Sequence, residues 1–596
     1  MNEVSYRNVS LTEGFWKNRQ DIVKNITIES VYDRFFDTGR VEAFEMKWKK
    51  GDEKQPHVFW DSDIAKWIEG VAVFNEITPE NEEKIEHIID MIEDGQDESG
   101  YFNIFFTVVE PENRFKKRTE HELYCAGHLI EAAVAYYRLT GKDRFLRLMC
   151  RYADCIEKVF RIDKSADFTT PGHEEIELAL VKLYSVTEEK RYLELAKFFI
   201  DERGKKIEHT YGFFNDGVYD QCFKPVREQE TAEGHCVRAC YLYSGMADIA
   251  RIYDDKELKH ACEMIFEDIV NYKMYITGGI GSSPIGEAFT IKYDLPNMRA
   301  YTETCAAISL AFFAHRMQLI EPKAIYAEII EKVIYNGFLS GISLDGKSFF
   351  YENPLEIIPE LRHKDVVVKN GERFPITERL EVFDCSCCPP NVIRFIAAIG
   401  ENIYTYDENT VFVHQFMSGE AEFDSIKIIQ ETNYPFDGKV RIRYYGPDRK
   451  LAVRVPDFCE DIESENGYIY FDVSDGMETE IDFTMPVYFV ESNPLVYENC
   501  GRYTVMRGPV VYCLEEKDNG KVLRDIVIDS NSEPEEVYDN EFGLPVIKMK
   551  AYRRKAQKKL YYRKNNETEE TTATLIPYYA FANRGESEML VWVQIR

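Results

Sequence analysis

At 596 residues the chain is too long for one ordinary core, and about two to four domains are expected. A formal charge of −32 argues against nucleic acid or an anionic membrane as partner, since both require a positive face. The basic stretch from Arg553 to Lys564 is local and reads as a solvated strand face or turn. No basic stretch followed by an apolar one opens the chain, and no apolar run reaches membrane-spanning length. A cytoplasmic protein is therefore expected, and its 14 cysteines are read as thiols in a reducing compartment.

In chain order, the segment around Val4 to Leu11 reads as a strand joining a later sheet, so 1–12 is set apart. From 13 to 410 the pattern is helical, with recurring hairpins. Tyr137-Arg138-Leu139-Thr140 is followed by Arg144-Phe145-Leu146, and the echo Tyr184-Ser185-Val186-Thr187 by Arg191-Tyr192-Leu193. A looser copy ends at Tyr253 and continues through Leu258 and Ala261. One such unit cannot bury its apolar face alone, so a solenoid or a closed toroid of helix pairs is predicted. After 410 the pattern changes to period two, as in Lys439-Val440-Arg441-Ile442-Arg443, broken by Asp-Gly and Gly-Pro turns. Two β-sandwiches are predicted, at 411–520 and 521–596, with a turn-rich boundary around 515–545.

Three Gly-His dipeptides accompany the hairpins: Gly127-His128, Gly172-His173 and Gly234-His235. The latter two lie at or near inner-helix starts, which in a toroid gather at one mouth. A shared polar cavity is one reading; structural histidines are the other. Next comes the glycine-rich run Thr277-Gly278-Gly279-Ile280-Gly281, leading to Glu287. It lacks P-loop spacing and a following Lys-Ser/Thr. The glycines are expected to let backbone approach a ligand and to place Glu287 at the cleft.

The most informative group is Glu303-Thr304-Cys305 with Cys387-Cys388-Pro389-Pro390-Asn391. Three thiolates and a carboxylate suit Zn²⁺. The residues alone leave three readings open: core cysteines with salt-bridged glutamates, a structural zinc, or a site where one ligand thiolate attacks substrate and Glu287 is acid and base. Cys385 is a further thiol of open role.

These stretches, with Gly286-Glu287-Ala288-Phe289-Thr290, His121-Glu122-Leu123-Tyr124, Gly172-His173-Glu174-Glu175, Phe349-Phe350-Tyr351-Glu352-Asn353-Pro354 and Arg507-Gly508-Pro509-Val510, resemble the β-L-arabinofuranosidases of glycoside hydrolase family 127 over nearly the whole chain. The resemblance implies an (α/α)₆ barrel followed by β-sandwich domains. It implies Zn²⁺ on Glu303, Cys305, Cys387 and Cys388, Cys387 as nucleophile and Glu287 as general acid/base. It also implies a sugar pocket lined by His121, His173, His235 and Tyr351, with His128 competing for the role of His121. The expected reaction is retaining hydrolysis of non-reducing terminal β-L-arabinofuranosides in a small oligosaccharide or glycoside. Rival readings are the same chemistry on another pectic furanose, a sugar epimerase or isomerase on the same barrel, and a non-catalytic sugar-binding protein with structural zinc. The aglycone is not readable, and a homodimer is left open.

Overall fold

The computed structural model describes residues 1–208, 216–363, 375–459, 461–555, 558–564 and 566–596. Among these, six helices form an inner ring: Trp60–Val73, Glu122–Thr140, Ile176–Thr187, Cys236–Tyr253, Thr304–Ile320 and Cys388–Ala397. Each packs against the next in chain order, and the sixth packs back against the first, so the ring closes. The inner helices are buried on nearly every face, as helices walled in on all sides must be. Outer helices such as Arg144–Glu157, Lys190–Glu202, Lys256–Asp268 and Ala324–Lys332 each cover the inner helix before them. These carry one apolar stripe; in Arg144–Glu157 it is Phe145, Leu148, Met149, Tyr152 and Ile156.

The echoed sequences mark equivalent turns. Inner helices two, three and four end in left-handed residues, Gly141, Glu188 and Asp254, whose N–H groups return to Tyr137, Tyr184 and Ala250. This cap satisfies a terminal carbonyl while reversing the chain. The glycine of Gly-His has a different purpose in each copy. Gly172 presses on the Arg118 carbonyl, whereas Gly127 lies mid-helix, where a Cβ would come within 2.6 Å of Glu175 Cγ.

The N-terminal segment pairs with both sheets of the first β-domain. Asn2–Glu3 pairs with Tyr404–Tyr406, and Val9–Leu11 with Gly419–Phe423. Each of the two sheets has five strands. The expected start at 411 comes slightly earlier, because Tyr404–Tyr406 already belongs to the first sheet.

The predicted boundary at 520 is wrong. Val487–Glu491, Tyr503–Arg507 and Val510–Glu515 pair onward through Thr568–Pro577 into one connected ten-stranded sheet. The turn residues around Asn519 do not separate domains. The Asn519 side chain donates to the Thr574 carbonyl at 2.8 Å and accepts from the Thr574 N–H at 2.9 Å, knitting the turn into the sheet. In the basic stretch, Arg553 lies on Leu544–Arg554 and pairs with Asp525 at 2.6 Å; residues 556 and 557 fall outside the described set.

The C-terminal sheet also buttresses the barrel mouth. Glu356–Ile357, from the long connection between inner helices five and six, pairs with Met589–Leu590. Tyr578 Oη donates to the carbonyls of Asn353 and Pro354, each at 3.0 Å, just after Tyr351. Arg379 donates to the carbonyls of Ser340 and Phe581, fixing the path toward Cys387. No helix among the described residues is long and apolar enough to cross a membrane.

Candidate active site

The N-termini of inner helices five and six bring four anionic donors together. Glu303 is the N-cap of Thr304–Ile320, with Cys305 in its first turn. Cys387 is the N-cap of Cys388–Ala397, and Pro389 and Pro390 follow in its first turn, where their missing N–H groups cost nothing. Both helix dipoles favour negative charge at this point. The Sγ of Cys305 lies 3.6 Å from that of Cys387 and 3.3 Å from that of Cys388, and Cys387 and Cys388 are 3.8 Å apart. Glu303 Oε1 lies 3.6 Å from Cys387 Sγ and 3.8 Å from Cys388 Sγ. A tetrahedral ion with metal–sulfur bonds of about 2.3 Å has edges of about 3.8 Å. The four donors could therefore hold a metal ion with little movement.

The cysteines differ in access. Cys305 and Cys388 are 2% and 0% exposed, while Cys387 is only partly buried. Tyr351 Oη lies 3.4 Å from Cys387 Sγ and 3.8 Å from Cys385 Sγ. Hydrogen bonds from Cys305, Cys385 and Cys388 hold the Cys387 pKa well below the usual thiol range, against its burial. Burial, followed by the Cys387 charge, pushes the Glu303 carboxyl well up.

The path into Cys387 is fixed from the first inner helix. Arg40 Nε donates to Asp63 at 2.9 Å, and its Nη2 donates to the carbonyls of Phe383 and Asp384 at 3.0 and 2.9 Å.

Glu287 lies beside the cluster. Gly286 and Glu287 both adopt left-handed backbone, φ 72° and 53°, a conformation that costs energy for glutamate and that recurs at functional sites. The glycines before it do not open the chain to a ligand, contrary to expectation. A Cβ on Gly278 would meet Val333 backbone at 2.9 Å, and one on Gly279 would meet Thr302 Cγ2 at 2.9 Å. They serve close packing inside the protein, from which Glu287 projects.

Glu287 Oε2 is 2.7 Å from His235 Nε2. His235 is the N-cap of inner helix four, and its Nδ1 accepts from the Arg238 N–H, so the proton facing Glu287 sits on Nε2. Burial alone would raise the Glu287 pKa; the neighbouring His235 outweighs it and brings it below the usual value. Donor atoms of His235, Glu287 and Glu303 all lie within 4.8 Å of one another, so Glu303 adjoins both the thiols and the Glu287–His235 pair.

His121 and His235 cap inner helices two and four, and His173 lies two residues before the cap of inner helix three. Ring centroids are 5.4 Å apart for His121–His173 and 5.6 Å for His173–His235, so the three form an arc. The backbone carbonyl of Glu174 lies 2.9 Å from His173 Nδ1, leaving Nε2 as a free acceptor. Burial and then Arg238 hold His121 and His173 well below the usual imidazole range, so both are neutral. His128 is elsewhere: fully buried in the barrel floor, 3.1 Å from Glu175 and beside the Arg394 ion pairs to Glu69 and Glu131.

Several neighbours carried no sequence signal of a site. Tyr301 packs on Tyr351 at 6.2 Å and hydrogen-bonds Glu287; Phe383 lies 5.6 Å from Tyr351. Only the excess of aromatic residues hinted at them. Tyr124, 4.2 Å from the His173 ring, could have been found from its helical spacing to His121.

The closed ring of six helices thus gathers two glutamates, three thiols and three histidines at one mouth. The pattern of the β-L-arabinofuranosidase GH127 catalytic domain matches residues 8–401, and that of the glycoside hydrolase family 127 C-terminal domain matches residues 487–594. The chain is similar to a non-reducing end β-L-arabinofuranosidase of Bifidobacterium longum subsp. longum, 34% identical over 98% of this chain and 99% of the relative. Among solved structures it is similar to a GH127 β-L-arabinofuranosidase from Geobacillus stearothermophilus T6. There the TM-score is 0.93 at 39% identity, covering 99% of this chain and 100% of the other. A further GH127 β-arabinofuranosidase has TM-score 0.89 at 33% identity, covering 100% and 98%. The chain is a glycoside hydrolase and belongs to glycoside hydrolase family 127.

Proposed function

We propose that the enzyme releases L-arabinose from non-reducing terminal β-L-arabinofuranosides with retention of configuration, using Cys387 as nucleophile and Glu287 as acid/base. The sugar is that named for the relatives. The observation that carries the mechanism is the access of Cys387: of the three clustered thiols it alone is partly exposed, and it stands across Glu303 from the Glu287–His235 pair.

Glu303, Cys305, Cys387 and Cys388 would hold Zn²⁺, whose charge, when bound, keeps thiols deprotonated at neutral pH. Neutral His121 and His173, with His235 and Tyr351, would grip the furanose hydroxyls. The Cys387 thiolate attacks the anomeric carbon as the bond to the leaving oxygen breaks. To act as the acid, Glu287 must carry a proton when substrate binds, against the pull of His235, and it gives that proton to the leaving oxygen. His235 Nε2–H orients the carboxyl and lets the pair keep a proton within reach. Glu287, now a carboxylate, removes a proton from water, which attacks the same carbon; the carbon–sulfur bond breaks and the thiolate returns. Two inversions give net retention.

The test is NMR of the first-formed sugar from a nitrophenyl β-L-arabinofuranoside, with the α-anomer as control. First-formed β-L-arabinose is expected. Inverted product would remove Cys387 from the nucleophile role.

A further inference from the structure

The first inner helix, Trp60–Val73, turns one face toward the helix that begins with the cysteine pair. Asp63 reaches the carbonyls of Phe383 and Asp384 through Arg40. Gly70 lies so close to that helix that a Cβ there would come within 2.6 Å of Ile393 Cγ2 and 3.1 Å of the Arg394 nitrogen. Residues three and four apart share a helix face, so Asp63, Lys66 and Gly70 form one row. The row meets 383–384 at one end and 393–394 at the other. Lys66, between them, stands opposite the intervening stretch, which contains Cys387 and Cys388.

Lys66 is 0% exposed. Its ammonium donates to Tyr124 Oη at 2.8 Å, and no carboxylate ion-pairs with it among the described residues; Asp63 is engaged by Arg40. A buried ammonium without a counter-charge is strongly unfavourable. The cluster opposite has the reverse problem. Three thiolates and a carboxylate around one Zn²⁺ leave net negative charge in a buried place. Burial alone would depress the Lys66 pKa, yet the charge of Cys387, with Asp63 and Cys305, outweighs it and holds the ammonium above its usual range.

We propose that Lys66 is the counter-cation of the zinc–thiolate cluster, a positioning residue that holds the metal by offsetting the excess charge of Glu303, Cys305, Cys387 and Cys388. Through Tyr124 it also ties the cluster to the histidine arc, since the Tyr124 ring packs on His173. The proposal rests on the zinc reading of the cluster.

The test is the zinc affinity of the full-length wild type, K66M and K66R, by competition with a chromogenic chelator, with zinc ion as the probe. Outer-shell partners of metal ligands are typically worth ~10–100-fold in affinity, and K66M should weaken binding by that factor. It should also lower kcat with little change in KM, while K66R, keeping the charge, restores most of both. Folded K66M with wild-type zinc affinity and turnover would overturn the proposal. If K66M does not fold, K66Q, uncharged but still able to donate to Tyr124 Oη, decides: weakened zinc affinity in the folded variant supports charge compensation, and wild-type affinity overturns it. Zinc-free active wild type would sink the zinc reading and this proposal together. Zinc-loaded wild type with an indifferent K66M would sink this proposal alone.

Discussion

The barrel mouth has two arcs built from the same part. Inner helices five and six present carboxylate and thiol groups at their N-termini; inner helices two, three and four present histidines. Both arcs lie at helix N-termini, yet they meet different chemical demands. The thiol arc concentrates negative charge, which the dipoles and a cation would stabilise. In the histidine arc His121 and His173 are held neutral by burial and by Arg238, which suits donors and acceptors for hydroxyl groups. Helix position alone does not assign a role; the charge state that the surroundings permit does. Glu287 and Glu303 lie where the arcs join.

The separation of roles can be broken most sharply at Cys387. Cys387→Ser should lower kcat/KM on a nitrophenyl β-L-arabinofuranoside by roughly 10⁴-fold or more, the scale of losing a nucleophile. Near wild-type turnover would mean that the thiol arc only holds metal. At the junction, Glu287→Gln should cost ~10²–10⁴-fold on substrates with poor leaving groups. Zinc content should be unchanged, and mass spectrometry of the variant with an activated aryl glycoside should find a glycosylated Cys387. Loss of zinc in this variant would place Glu287 among the ligands instead.

A bound metal would distinguish the arcs. Elemental analysis of the purified enzyme should find about one zinc per chain, Cys305→Ser should lose both zinc and activity, and His173→Ala should keep its zinc. In the histidine variant kcat/KM should fall by about 10–100-fold, the scale of one or two lost hydrogen bonds to substrate. A zinc-depleted His173→Ala would contradict the division.

The smallest effect concerns the scaffold that both arcs share. Burial pushes the Asp61 carboxyl on the first inner helix up to about 7, against a hydrogen bond from the Ile104 N–H. A pKa raised on folding contributes stability below the unfolded value, near 4, and that contribution is lost as pH rises toward 7. Asp61→Asn should therefore raise Tm by a few degrees at pH 8, on the order of 2–4 °C, and have no such benefit at pH 4. Equal shifts at both pH values would show that charge burial is not the cause.

Much of this was legible in the chain. Hairpin echoes are local: each copy ends in a left-handed turn whose residues stand next to one another in sequence, and period-two alternation likewise reports a half-buried strand. The Cys-Cys-Pro-Pro motif sits on one helix start, so its donors were visible as a group. The boundary at 520 was misread because turn residues look alike whether they separate domains or cap a hairpin. Only the pairing of Asn519 with Thr574, far along the chain, tells the two apart. The glycines before Glu287 were misassigned for the same reason, since their crowding partners Val333 and Thr302 are distant in sequence.

The elements, the family and the identity of the candidate groups are legible residue by residue, because propensity, periodicity and ligand chemistry reside in the side chains. Closure of the ring decided the rest. It chose His121 over His128 for the mouth, left Cys387 the accessible thiol of its cluster, set His235 against Glu287 and buried Lys66 with no carboxylate partner among the described residues. Each of these is a statement about burial or a distance between segments far apart in sequence. Burial and through-space charge exist only once the helices have packed.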